Sequence, residues 1–210
     1  FYGLELICDE RALIPRPETE ELVDWILESA DKSQKSSVID ICSGSGCIAL
    51  ALKSILMNAN VEAWELSEDA LELIKENEEL TELSIQYLKM DALQEGYPKP
   101  DKSVHVIVSN PPYIPNADRS RMHENVLDFE PEMALFVDDQ DPFIFYNAIA
   151  KEASRLLVDE GWLYFEIHED FGTEMIECLK VHGFVNIELR KDLQGRSRMI
   201  RGQRVSSRHE

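Results

Sequence analysis

With 210 residues, of which 44% are hydrophobic and 30% charged, the chain has the material for one ample globular core. Its 41 acidic residues against 21 basic ones, a formal charge of −20, make long nucleic acid a poor candidate partner, the densest basic stretch being the tail from Arg190 to Arg208. No apolar run nears the roughly 18–20 residues of a membrane helix, and Phe1-Tyr2-Gly3-Leu4-Glu5 lacks the basic start of a signal peptide.

The chain opens without Met, as expected of a piece of a longer protein. Leu4 to Cys8 and Ala12 to Ile14 predict two short strands around Asp9-Glu10-Arg11, a hairpin. Pro15-Arg16-Pro17 ends it. Pro17-Glu18-Thr19-Glu20 then reads as a helix start, with Leu22, Val23, Ile26 and Leu27 at helical spacing to about Ala30. Lys32 to Ser37 is a polar connector.

Strand and helix signals alternate from there. Strands are predicted over Val38–Cys42, Val61–Leu66, Ile85–Leu88, Val104–Ser109, Gly161–Ile167, Phe184–Leu189 and Ser197–Ile200. Helices are predicted over Cys47–Met57, Glu68–Leu80, Pro142–Val158 and Asp170–His182. This alternation implies an α/β fold with a doubly wound, mostly parallel sheet of seven strands. The last two strands have only a short connection, which predicts an antiparallel hairpin at that edge. The stretch from Asn110 to Asp141 reads as a loop of about 30 residues, a length that signals function in a compact domain.

Cys8, Cys42, Cys47 and Cys178 form no Cys-x-x-Cys pair and have no histidine at zinc-like spacing. Reduced, mostly buried thiols in a cytoplasmic protein, with no metal site, are expected.

The strand Val106-Ile107-Val108-Ser109 stops at Asn110-Pro111-Pro112-Tyr113, since a double proline cannot continue a sheet ladder. At the carboxyl end of a strand in an open α/β sheet, ligands bind. The prolines fix φ and so aim the carbonyls of Asn110 and Pro111. The Asn110 amide adds an acceptor, and Tyr113 adds a face to stack on a planar group. Such a site suits a flat NH2 group. A proline-terminated strand and turn explains the tetrapeptide about equally well until the rest of the chain is weighed.

Asp40-Ile41-Cys42-Ser43-Gly44-Ser45-Gly46 closes the first strand and opens a helix, where glycines admit close backbone approach and free N–H groups face a ligand. Glu65 ends the next strand, 21 positions after Gly44, where a carboxylate suits a ribose diol. Asp91, after the third strand, suits an exocyclic purine amine. Gly44-Ser45-Gly46-Cys47-Ile48-Ala49 also fits the dinucleotide fingerprint, which keeps a nicotinamide-dependent oxidoreductase in play. No Gly-Lys-Ser/Thr follows, so a P-loop is excluded; no nucleophile elbow and no His-Glu-x-x-His occurs.

Four motifs together resemble the release factor glutamine methyltransferases. They are Leu13-Ile14-Pro15-Arg16-Pro17-Glu18-Thr19-Glu20, Asp40-x-x-x-Gly44-Ser45-Gly46, Ser109-Asn110-Pro111-Pro112-Tyr113-Ile114 and Phe129-Glu130-Pro131-x-x-Ala134-Leu135. The resemblance runs to Lys191-Asp192 and Arg198. It implies a Rossmann-like class I S-adenosylmethionine-dependent methyltransferase that modifies the glutamine N5 of the Gly-Gly-Gln motif in class 1 peptide chain release factors. It also implies a catalytic domain over 37–210, preceded by a hairpin and connecting helix over 1–36. The family's amino-terminal helical docking domain is expected to lie outside the chain.

By position, the resemblance gives cofactor binding to Asp40, Cys42, Ser43, Gly44, Ser45, Gly46, Glu65, Asp91, Ala92 and Asn110. It gives the glutamine amide to Asn110, Pro111, Pro112 and Tyr113; Arg16, Glu18 and Thr19 are expected to line the mouth of the site. Asn110, Pro111 and Tyr113 carry the catalysis. Acceptors aimed at the amide N–H bonds stabilise the positive charge that grows on nitrogen, and Tyr113 stacks on the amide. Glu18 and Thr19 serve equally well as a plain helix start. Cys42 stands where the family pattern has its first loop glycine, which puts close approach there in question. Val137 to Pro142, His168 and Phe171 also depart from the pattern.

The bland readings of other residues are simple. His105 reads as a packed or edge strand residue, His123 and Glu124 as a solvated loop, and Trp25, Trp64 and Trp162 as core or half-buried anchors. The acids from Glu68 to Glu82 read as a solvated helix face. An adenine-N6 methyltransferase shares Asn-Pro-Pro-Tyr, but the acidic charge and Pro15 to Glu20 weigh against it. A nicotinamide enzyme leaves Asn110 to Tyr113 unexplained, and a non-catalytic binding module is favoured only where Cys42 blocks the cofactor. No direct nucleic-acid or membrane partner is expected.

Overall fold

In the computed structural model, residues 1–30, 35–121 and 130–205 are described. Parallel strand order follows from the connections: each early strand is followed by a segment that carries the chain back across the sheet before the next begins. β1 (Ser37–Ile41) leads through α2 (Cys47–Ile55) to β2 (Asn60–Glu65), and β2 through α3 (Glu68–Thr81) to β3 (Gln86–Lys89). β4 (Val104–Ser109) then pairs with β1 on its other side. α1 (Pro17–Ser29) precedes this core. The later elements are α5 (Ile144–Leu156), β7 (Leu157–Glu166), α6 (Gly172–Val181), β8 (Phe184–Lys191) and β9 (Ser197–Arg204).

The seven strands lie in the order β3-β2-β1-β4-β7-β9-β8. β9 runs antiparallel to both β7 and β8. The predicted edge hairpin therefore forms, but with β9 inserted between β7 and β8.

Side-chain alternation divides the apolar residues between two layers, as a sheet buried on both faces requires. Val38, Val108, Tyr164 and Met199 join α1 and α2 on one side. Their chain neighbours Ile39, Ile107, Phe165 and Ile200 join α5 and α6 on the other. Trp25 and Trp64 are core residues, and Trp162 is half-buried, with Arg201 lying over its ring 4.3 Å from the centroid. His105 is a packed strand residue whose Nδ1 accepts from the Ser37 amide at 3.1 Å. No helix among the described residues is long and apolar enough to cross a membrane.

Three expectations fail. The cysteines are not mostly buried: Cys47 is buried, Cys42 and Cys178 are half-buried, and Cys8 is exposed on the amino-terminal segment. No strand forms over residues 4–14. The Asp9–Ala12 turn is present, but the Ile7 backbone bonds to a side chain instead of a ladder. Its N–H donates to Asn77 Oδ1 at 2.7 Å, and its carbonyl accepts from Asn77 Nδ2 at 3.2 Å. The segment is thus a strap across α3. The stretch after Asn110 also holds more structure than a loop: β5 (Ile114–Pro115) pairs parallel with β6 (Phe136–Val137), framed by a 3-10 turn (Asn116–Arg121) and α4 (Glu132–Leu135).

Candidate active site

β1 is flanked by β2 on one side and β4 on the other, so strand order reverses between β1 and β4. The carboxyl ends at such a switch point form a crevice, the ordinary ligand site of an open α/β sheet. Here it receives the loop after β1 and Asn110-Pro111-Pro112-Tyr113 after β4.

The loop after β1 needs left-handed backbone at three alternate positions, with φ of +59° at Cys42, +55° at Gly44 and +77° at Gly46. At Gly46 a Cβ would also meet Ile74 Cγ1 at 3.2 Å, so glycine there serves helix packing. Cys42 adopts the required conformation despite its side chain, and the loop keeps its course. Burial, helped by the charges of Glu65 and Asp40, pushes the Cys42 thiol up, so it stays protonated.

Glu65 is anchored by the backbone around it. Its Oε2 accepts from Gly44 N–H at 2.9 Å, and its Oε1 from Leu66 and Ser67 N–H at 2.7 and 2.9 Å. Asp40 is fully buried behind the loop, where Oδ2 accepts from the Ser43 hydroxyl and Oδ1 has no hydrogen-bond partner among the described residues. Burial pushes its pKa up to about 7, against the lowering effect of Ser43.

Two cavities open at this crevice. The larger, about 930 Å³ with its open mouth, is walled by Cys42, Ser43, Gly44, Ser45, Glu65, Asp91, Ala92, Asn110 and Pro112, and by Arg11 to Leu13 of the strap. The smaller, about 450 Å³, is walled by Arg16, Pro111, Tyr113, Ile114 and Leu135. Leu13, Asn110 and Ala134 line both, so the two spaces adjoin at Asn110.

Asp40 and Gly46 line neither cavity and act from behind the loop. Glu18 also lines neither; its carboxylate accepts from Gln194 Nε2 at 3.1 Å on the surface. Arg16 does reach the smaller cavity, tied to the buried Glu130 carboxylate at 2.5 Å. That ion pair joins two of the sequence motifs across 114 positions. His123, Glu124 and Phe129 lie outside the described residues.

Sequence reasoning missed Glu166, a buried carboxylate ending β7 that accepts from the Tyr113 hydroxyl at 3.1 Å and the Thr19 hydroxyl at 2.7 Å. Burial and the nearby Glu166 charge push the Tyr113 phenol up, which keeps it a donor. The only signal for Glu166 was an acid closing the apolar run Trp162-Leu163-Tyr164-Phe165.

Residues 20–128 match the family model of the methyltransferase small domain. Human methyltransferase 10 domain containing protein shares the fold, with a TM-score of 0.67 at 19% identity, covering 97% of this chain and 90% of that one. Fold and site together define a methyltransferase of the Rossmann-like class I architecture. The release factor glutamine methyltransferase of Flavobacterium psychrophilum is 43% identical over 204 residues, 96% of this chain and 71% of its own. That of Bacteroides thetaiotaomicron is 40% identical over 97% of this chain and 72% of its own. The release factor-specific protein-(glutamine-N5) methyltransferase of Alicyclobacillus acidocaldarius superposes with a TM-score of 0.56 at 25% identity, covering 92% of this chain and 95% of that one. The chain belongs to the release factor glutamine methyltransferase family.

Proposed function

We propose that this chain methylates the side-chain N5 of the glutamine in the Gly-Gly-Gln motif of class 1 release factors, with S-adenosylmethionine in the larger cavity and the glutamine amide in the smaller. The observation that carries this reading is the meeting of the two cavities at Asn110. Family membership supports S-adenosylmethionine as the donor.

The larger cavity fits that donor by its chemistry. Glu65 is aimed by three backbone N–H groups and presents a carboxylate to a ribose diol. Asp91, whose Oδ1 is held by the Leu93 amide at 2.8 Å, stands beside Ala92 for the adenine. When bound, S-adenosylmethionine supplies an electrophilic methyl group on a sulfonium and leaves as S-adenosylhomocysteine.

This chain's own residues prepare the nitrogen. An amide lone pair is delocalised into its carbonyl, so nitrogen attacks only as positive charge grows on it. The Asn110 side-chain oxygen and the Pro111 carbonyl accept the two N–H bonds and favour that charge in the transition state. Tyr113 stacks on the amide plane and restricts its rotation. The displaced amide proton passes to water, with no dedicated base and no metal in the step. A glutamine flanked by glycines reaches a narrow cleft because glycine allows backbone courses closed to other residues.

Labelled methyl transfer to purified release factor, to its Gln→Ala variant, to DNA and to ribosomal RNA tests the proposal. Label is expected in the unaltered release factor alone. Label in nucleic acid, or persisting in the Gln→Ala protein, overturns it.

A further inference from the structure

We propose that Glu166 is a positioning residue for methyl transfer, its carboxylate holding the Tyr113 ring against the acceptor cavity and tying it to helix α1. The inference rests on reading Tyr113 as part of the acceptor site.

The fold brings three distant segments to this carboxylate. Glu166 is the last residue of β7, one step beyond the Ser109–Phe165 register pair, and so stands beside the strand end that carries Asn110. Its two oxygens are divided between partners, Oε1 taking the Tyr113 hydroxyl and Oε2 the Thr19 hydroxyl. Its own carbonyl accepts from the Tyr146 hydroxyl at 3.0 Å, which fixes the main chain from the opposite layer. The Tyr113 ring is met edge-on by His168 at 6.2 Å. The phenol therefore has its tip held by Glu166 and its flank by an imidazole, while it lines the smaller cavity.

Stability does not account for a carboxylate in this place. Glu166 is 2% exposed, and among the described residues no cation forms an ion pair with it. The charges that face it are Arg198 and Glu18. Arg198 pairs with Asp192 at 3.3 Å and with Glu169 at 3.6 Å, and it also lies beside the Tyr113 phenol, so its charge reaches Glu166 without a direct ion pair. A buried carboxylate with two neutral donors is a poorer stabiliser than a packed apolar side chain. What the carboxylate adds is direction: two acceptors, set by one planar group, fix the ring and the first turn of α1 relative to each other. Displacement of a substrate-positioning group by about 1 Å is enough to lower turnover on the order of a hundredfold.

The test uses the whole chain with release factor as substrate. Glu166→Gln keeps the shape but loses one acceptor, and Tyr113→Phe keeps the ring but loses the hydroxyl. Each is expected to lower kcat by roughly 10- to 100-fold. KM for release factor and the affinity for S-adenosylhomocysteine are expected to stay within about threefold, with each variant fully folded at the assay temperature. The double variant is expected to be no slower than the worse single, because both changes break one link. Near-normal kcat in folded Glu166→Gln overturns the inference, as does a loss that falls on KM or multiplies in the double variant. Should Glu166→Gln not fold, Thr19→Val with Tyr113→Phe reads the same link with the carboxylate in place. The Thr19→Val loss is then expected to vanish in the Tyr113→Phe background, and multiplying losses overturn the inference. A parent protein inactive on release factor sinks the proposed function itself, which separates the two failures.

Discussion

Cys42 occupies a left-handed position that favours glycine, at a cost of roughly 1–2 kcal/mol for an L-residue. The surrounding loop holds it there, since Glu65 grips the Gly44 amide and Ser43 is pinned to Asp40. Glu65 thus has a structural task beside its proposed one. Glu65→Ala is expected to weaken S-adenosylhomocysteine binding by about 1.5–3 kcal/mol, the range for hydrogen bonds to a charged group. It should also lower Tm, because three backbone donors lose their acceptor. Titration calorimetry with unchanged affinity would remove Glu65 from the ribose site. Asn110 separates the other way. Asn110→Ala should leave cofactor affinity within a few-fold while turnover on release factor falls roughly 10²–10³, as when one group facing developing charge is removed. Steady-state kinetics showing normal turnover would reduce Asn110 to a turn residue.

At the scale of elements, Asn77 links the strap, α3 and the loop after β1. Fully buried, it binds both backbone groups of Ile7 and also donates to the Ser45 carbonyl at 3.0 Å. Without it the strap loses its partner, and the strap is a wall of the larger cavity. Asn77→Ala leaves buried polar groups unpaired and is expected to destabilise by about 2–5 kcal/mol. Cofactor affinity should fall with it. Denaturant unfolding that moves by less than about 0.5 kcal/mol would show that water replaces the amide. This one side chain also explains why residues 4–14 make no hairpin. Their alternation fits a strand, but their hydrogen-bonding groups are met by a residue 70 positions away.

Across the whole molecule, 41 acidic residues outnumber 21 basic ones. The basic stretch near the carboxyl end is matched by the chain's own acids: Arg190 with Glu28, Arg201 with Glu188, and Arg204 with Asp159. The buried acids set the response to pH. Asp40 holds its proton up to about 7 in the folded protein, above its ordinary value of 3.8, and burial moves Glu166 in the same direction. The folded state therefore binds more protons, so this contribution is complete below about pH 4 and is lost as pH rises through 7. Thermal unfolding should show lower stability at pH 8 than at pH 5, by up to about 3 kcal/mol for Asp40 alone. Asp40→Asn should flatten that slope. An unchanged slope would place the titration elsewhere.

The residues that touch a ligand-sized cavity were largely legible before any coordinates, because they cluster in short motifs at strand ends: Cys42 to Ser45, Glu65, Asp91-Ala92 and Asn110 to Tyr113. Strand and helix positions were legible for the same reason, since apolar periodicity is local. Local patterning was enough for the doubly wound class, the edge hairpin and the strand-end motifs that line the two cavities. Packing in three dimensions set the rest: β9 inserts between β7 and β8, the amino-terminal segment is a strap, and Glu18 faces Gln194 at the surface. It alone joined Arg16 to Glu130, and Thr19 and Tyr113 to Glu166. Those links span 53 to 147 positions, and no local pattern encodes them. They depend on which side chains meet once the apolar faces of the sheet are buried, an outcome of the whole packing that no single segment carries.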